Sequence, residues 1–234
     1  MRLDKFLSNS GKGSRKDIKA LLKSGSVSVN GTVITDPARH IDENIDSICV
    51  DGTAVVYQKY VYLMLNKPQG YVSAVYDKHL PVVTELVDDK YSHFDVFPVG
   101  RLDIDTEGLL VLTNDGALTH RVLSPKSHVN KTYYVKTLLP LKQSDISAFK
   151  DGVVLDDGYK TMSAKLTITD TNECNLTIQE GKFHQVKRMM EAVGNKVVYL
   201  KRIKMGALTL DPDLPLGKIR ELSENEAKLL EERE

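Results

Sequence analysis

The stretch from Gly100 to Gly116 constrains this chain most. Arg101, Asp103, Asp105 and Glu107 set four charges at alternate positions, and Leu109, Leu110, Val111 and Leu112 follow as an unbroken apolar run. A run of that length suits a buried strand. Asn114, Asp115 and Gly116 then supply turn residues that tolerate left-handed backbone. A charged loop, with glycine at both ends, that feeds straight into the core is a rigid platform for a reactive side chain. The rest of the chain reads as its surroundings.

At 234 residues, 41% of them hydrophobic, the chain is long enough for one sizeable core and a small appendage. Its 32 basic residues balance 32 acidic ones, so net charge selects no partner and only the distribution of charge informs. Cys49 and Cys174 lie far apart in unrelated contexts, which suggests neither a metal-ligand pair nor a disulfide framework. A reduced, cytoplasmic protein is expected. The first residues lack the apolar core of a signal peptide and no apolar run is long enough to span a bilayer, so no membrane association is expected.

Residues 1–35 read as a small helical module. Leu3, Phe6 and Leu7 share one helical face, Gly11 and Gly13 interrupt it, and Ser14 suits the N-cap of a second helix carrying Ile18, Leu21 and Leu22. Gly25 suits its C-terminal cap. Val27 and Val29 then alternate with serines up to Asn30-Gly31, a strong hairpin signal, with Val33 on the return strand. This stretch holds seven basic residues against two acidic ones, a net +5, whereas 36–58 holds one against five, a net −4. Lys12, Arg15, Lys16, Lys19 and Lys23 gather along the second helix, as a solvated polar face or as a face for phosphates. The order Arg2-Leu3-Asp4-Lys5-Phe6-Leu7, then Ser14-Arg15, then Val27-Ser28-Val29-Asn30-Gly31, resembles an S4 domain, a small RNA-binding module.

A polar-to-aromatic connection at 52–62 sets the expected division into an RNA-binding domain, 1–58, and a second domain, 59–234. The second opens with a strand, Val61 to Leu65, and a basic turn, Asn66 to Gly70, whose Lys67 joins the RNA-contact candidates. A short helix after Pro81 and an apolar strand through Phe94, Val96 and Phe97 lead to the central loop. Beyond it the pattern predicts a helix over 117–123 ended by Ser124-Pro125, a strand at Lys131 to Val135, and a helix at 141–150 with Ile146 and Phe149 inward. Strands at 152–155, 164–169, 174–178 and 197–200 follow, with a helix after His184 and a short Glu-rich helix from Ser223. Many strands without regular βαβ alternation predict an α+β domain with a mainly antiparallel mixed sheet. From 181 to 204 seven basic residues face one acidic residue, a net +6.

Three phrases, Met64 to Val72, Gly100 to Thr106 and His184 to Met189, together with Lys131 to Tyr134, resemble the RsuA-type pseudouridine synthases, closest to the branch acting on small-subunit ribosomal RNA. The resemblance implies isomerisation of uridine to pseudouridine, with uridine 516 of 16S rRNA as the target. It implies neither metal nor cofactor, and a monomer whose partner is ribosomal RNA, free or partly assembled with ribosomal proteins. It makes Asp103 the catalytic carboxylate and Tyr133 the ring that stacks on the target base and can abstract a proton. Arg101 would fill the gap left by a flipped base or hold phosphate. Relatives pair a basic residue with that aspartate, here Lys187 or Arg188. His184 would contact RNA or serve as a structural hydrogen bond, and Leu200 would pack under the base.

Duller readings stand beside these. Asp103 can cap its own loop, and a strand tyrosine is commonly core with a wet hydroxyl. The spacing Asp103-x-Asp105-x-Glu107 partly copies a calcium loop, but Asn114 occupies the position that needs a glutamate. Asp105 and Glu107 therefore read as supporting residues. Two other functions compete: a synthase acting on 23S rRNA, and a non-catalytic RNA-binding assembly factor.

Overall fold

The computed structural model describes residues 1–124 and 126–232 and divides into two compact units, Met1–Val61 with Val87–Asp95, and Tyr62–Leu86 with Val96–Glu234. The first carries helices α1 (Leu3–Asn9) and α2 (Arg15–Lys23) and short strands β1 (Val27–Val29), β2 (Thr32–Val33), β3 (Ile48–Val50) and β4 (Thr53–Ala54). The strands form an antiparallel sheet in the order β2-β1-β3-β4. Leu3, Phe6 and Leu7 of α1 and Ile18 and Leu22 of α2 are buried with Val27, Val29 and Ile48. Ser14 caps α2 as expected: its hydroxyl accepts from the Asp17 N–H, and the Asp17 carboxylate accepts the Ser14 N–H at 2.9 Å, a reciprocal box. Asn30 and Gly31 both take positive φ, 51° and 79°, the geometry a two-residue hairpin turn demands.

Val87–Asp95 departs from the sequence reading. Phe94 belongs to a 3-10 helix, Asp89–Phe94, that packs on α1, and is not part of a strand. Its burial against other side chains, without a neighbouring strand to pair with, decides the difference.

In the second unit the strands are β5 (Tyr62–Lys67), β6 (Phe97–Pro98), β7 (Glu107–Thr113), β8 (Lys131–Thr137), β9 (Lys165–Asp170), β10 (Glu173–Ile178), β11 (Val197–Met205), β12 (Leu208–Thr209) and β13 (Ile219–Glu221). Its helices are α3 (Gly116–Leu123), α4 (Gln143–Asp151), α5 (Gln185–Ala192) and α6 (Glu224–Lys228). Among the described residues nine strands form one mixed sheet, ordered β13-β5-β7-β11-β8-β10-β9, with β6 beside β7 and β12 beside β11. The β7–β11 pair is parallel and the other described pairs are antiparallel. The expected strand at 152–155 is reduced to a single bridge, Val154 to Lys160. Of the expected inward pair on α4, Phe149 is buried and Ile146 only half-buried. Pro125, expected to end α3, lies outside the described residues.

Strand β7 sits between β5 and β11 and is covered on both faces, which is why its apolar residues run without alternation. Leu109 and Val111 point into a cluster with Leu118 and Val122 of α3, Met205 and Leu230. The turn expected at Asn114–Gly116 is instead a helix start: Asp115 caps α3 by accepting the Leu118 N–H at 3.0 Å.

Gly108 opens β7 at φ 101°, and a Cβ there would stand 2.2 Å from the backbone oxygen of Arg202 on β11. Both the conformation and the approach exclude a larger residue. Gly108→Ala should cost about 3 kcal/mol or more of stability, read from the urea midpoint. An unchanged midpoint would contradict this contact.

Candidate active site

The loop before β7 is held from below by a buried cation. The Lys67 side chain at the end of β5 is fully buried, and its ammonium donates to the backbone carbonyls of Pro68 at 3.0 Å, Asp103 at 3.1 Å and Thr106 at 3.0 Å, with Ile104 at 3.5 Å. Three ammonium protons and three short contacts match. Burial pushes Lys67 down to about 8, against the pull of Asp105, Asp103 and Glu107. Lys67 is therefore no RNA contact, contrary to expectation: the same strand that ends in the basic turn carries it under the loop. Ser73 adds a second clamp, its hydroxyl donating to the Leu102 carbonyl at 2.9 Å and accepting the Leu102 N–H at 3.0 Å. The Gly70 N–H donates to Ile104 at 2.8 Å.

Above this clamp Asp103 faces a concavity of about 410 Å³, counting its open mouth. Arg101, Tyr133, His184 and Leu200 are among its walls, so the loop, β8, the start of α5 and β11 meet at one place. Tyr133 and Leu200 are buried, and Arg101 is exposed. Tyr134, one residue on, points the other way and donates to Glu173.

Of the two basic candidates, Lys187 is the one that lies beside Asp103. Its Nζ lies 3.5 Å from Asp103 Oδ2 and 2.6 Å from Asp105 Oδ1. Burial works to raise the Asp105 carboxyl, but the bond and charge of Lys187 outweigh it and hold Asp105 below the usual carboxylate range. Arg188 does not reach Asp103. Its guanidinium binds Asp156 at 2.6 Å and Asp157 at 2.6 Å, because the next residue on a helix points about 100° away. His184 Nε2 stands 3.8 Å from Asp103 Oδ1, and its backbone adopts φ 48°, a strained conformation for a histidine.

The carboxylates of the loop diverge. Asp105 faces Lys187, while Glu107 accepts from the Tyr199 hydroxyl at 2.6 Å. Among the described residues no three His, Cys, Asp or Glu side chains converge as a metal site. The sequence reading missed Tyr199, Ser73 and Gln185. Buried Gln185 ties the loop before α5, accepting from the Lys182 N–H at 2.8 Å and donating to Glu180 at 2.6 Å. Tyr199 and Ser73 lie far in sequence from the groups they serve, so no local pattern marks them, whereas Gln185 stands inside the phrase His184 to Met189 and reads there as an ordinary polar residue. Thr106 also lines the concavity, and its hydroxyl is buried with no hydrogen bond among the described residues.

The remaining candidates lie in the first unit. Lys12, Arg15, Lys16, Lys19 and Lys23 are all exposed on and beside α2, and none forms an ion pair among the described residues. Among the described residues no helix is long and apolar enough to cross a membrane.

Residues 61–192 match the family model described as RNA pseudouridylate synthase, and residues 1–44 match the S4 domain model. A Bacillus subtilis relative, described as an uncharacterized RNA pseudouridine synthase, is 50% identical, with 99% of each chain covered. Ribosomal small subunit pseudouridine synthase A of Pasteurella multocida is 41% identical, covering 97% of both chains, and that of Escherichia coli is 39% identical, covering 97% of this chain and 98% of its own. A crystal structure of a pseudouridylate synthase superposes with a TM-score of 0.70 at 37% identity over 98% of this chain and 99% of the other.

Removing the buried cation tests the clamp. Lys67→Met leaves the carbonyls of Pro68, Asp103 and Thr106 without their donor and should lower stability by about 3 kcal/mol in urea denaturation. A lysine serving only as a surface phosphate contact would leave the unfolding curve where it was.

Proposed function

The chain belongs to the RNA pseudouridylate synthase family, enzymes that isomerise uridine in RNA, and we propose that it acts on 16S ribosomal RNA with Asp103 as nucleophile. One observation supports the mechanism: a carboxylate on a clamped loop faces a concavity walled by an aromatic ring and an exposed arginine, and the Lys187 ammonium stands 3.5 Å from that carboxylate. The small-subunit relatives support the choice of RNA, and uridine 516 is the target we assign by that likeness.

The reaction conserves every atom. The bond between uracil N1 and ribose C1′ breaks, the base turns, and C5 bonds to C1′. The C5 proton leaves and N1 gains one. A uridine within folded RNA must first leave its stack, and Arg101 is placed to occupy the gap. Tyr133 stacks on the extruded ring, above Leu200, and its hydroxyl is our candidate for the C5 proton. Asp103 adds to C1′ as the N1–C1′ bond breaks, or to the ring ahead of that cleavage; either way its bond breaks again once C5 has bonded to C1′, and the carboxylate is regenerated. Lys187 places a positive charge 3.5 Å from the Asp103 carboxylate and holds it toward the substrate. The walls keep water from the intermediate.

We assign 1–58 as the RNA-binding domain and 59–234 as the catalytic domain. The protein works as a cytoplasmic monomer on free or partly assembled small-subunit RNA. The face Lys12, Arg15, Lys16, Lys19 and Lys23 holds phosphates.

Two measurements test this reading. Asp103→Asn keeps the shape of the side chain and removes its charge. It should lower the rate by ~10³ or more, about 4 kcal/mol of barrier, in a chemical-adduct assay for pseudouridine on 16S rRNA. Retained conversion would exclude Asp103 as the nucleophile. Replacing Lys16 and Lys19 with alanine should reduce the slope of log affinity against log salt by roughly 1.4–1.8, the value for two lost phosphate contacts. An unchanged slope would remove this face from the RNA interface.

A further inference from the structure

We propose that Phe183, backed by His184, is a stacking platform for the nucleobase next to the flipped uridine. The inference rests on the reading that the concavity beside Asp103 takes a uridine in RNA.

Phe183 is 72% exposed, high for a phenylalanine on a braced loop. Its neighbours Lys182 and His184 line the concavity and it does not, which places its ring at the rim. One face is already covered: the rings of Phe183 and His184 stack at 3.8 Å between centroids and 19° between planes. The left-handed backbone of His184 sets up this stack beside Asp103. The loop is held from both sides, by the Lys182 N–H on Gln185 and by Arg188 Nη1, which reaches the Phe183 carbonyl at 3.5 Å. Arg188 is anchored in turn by Asp156 and Asp157, so the arginine that does not pair with Asp103 positions this rim.

A fixed aromatic face open to solvent, flanked by cations, suits a nucleobase on an anionic backbone. Lys182 and Lys187 supply the charge, with Lys182 also lying over the Tyr159 ring at 4.7 Å. The occupant follows from the chemistry. Flipping one base strips its neighbour of a stacking surface, and an apolar ring just outside the cavity replaces what was lost. Tyr133, inside, is left for the target base.

The test uses the full-length protein and a 16S rRNA fragment spanning the target. Phe183→Ala should raise KM by about 5- to 150-fold, the worth of one stacked base, with kcat within about twofold and the salt slope unchanged. Phe183→Trp should keep the wild-type KM. Because the chain contains no tryptophan, its emission reports this one site, and RNA binding should quench it. An abasic nucleotide beside the target should abolish that quenching. A wild-type KM in Phe183→Ala, or equal quenching by intact and abasic RNA, overturns the platform. With either result, an inactive Asp103→Asn leaves the site reading standing, whereas a fully active one overturns the site and the platform together.

Discussion

The contact on which the site depends is a lysine ammonium surrounded by backbone carbonyls. Lys67 ends the inner strand β5, and its buried head gathers the carbonyls of Pro68, Asp103 and Thr106. A loop with charges at 101, 103, 105 and 107 would spread in water, since each charge prefers its own hydration. Buried carbonyls without donors would each cost about 1–3 kcal/mol, so donor and loop require one another. The result is a loop whose backbone is fixed from the protein side while its Asp103 side chain faces the concavity. Such preorganisation lets a carboxylate act without first finding its geometry.

A second constraint lies one strand over. Strands β7 and β11 run parallel, with Glu107 opposite Lys201 and Gly108 opposite Arg202. The missing side chain of Gly108 lets the backbones close. Buried Arg202 donates through Nε to the Leu109 carbonyl at 2.8 Å, and Tyr199 takes Glu107. These contacts bring Leu200 on β11 to the concavity beside Asp103. Strand β8 pairs with β11 on its other side and delivers Tyr133. The site is thus assembled from neighbouring strands of one sheet and the loop that enters β7, with the 181–188 segment added from a loop and helix.

Much of this was legible in residue order. The capped helix α2, the Asn30-Gly31 hairpin and the buried strand after the charged loop all rest on local rules, and each formed as read. Asn114–Gly116 was misread because the same residue types serve turns and helix caps. Phe94 was misread because an apolar side chain does not specify which backbone buries it. Within the site, the motif phrases singled out Asp103, Tyr133 and Arg101, Leu200 was read apart from them as a packing residue, and all four line one concavity.

The sequence alone determined most of the helices and strands of this protein: periodicity, caps and turn residues are short-range properties, and they specify these elements and the family phrases wherever they occur. It could not choose between Lys187 and Arg188, adjacent in the chain and equal in charge. Only the direction each takes on α5 separates them, one toward Asp103 and Asp105 and the other toward Asp156 and Asp157. Nor could it tell that Lys67 is buried, since a lysine beside a proline turn looks like a surface residue until β5 and the 103–106 loop meet. That meeting joins residues nearly forty positions apart. Tertiary structure decided it because the energy of a buried charge depends on what surrounds it in space.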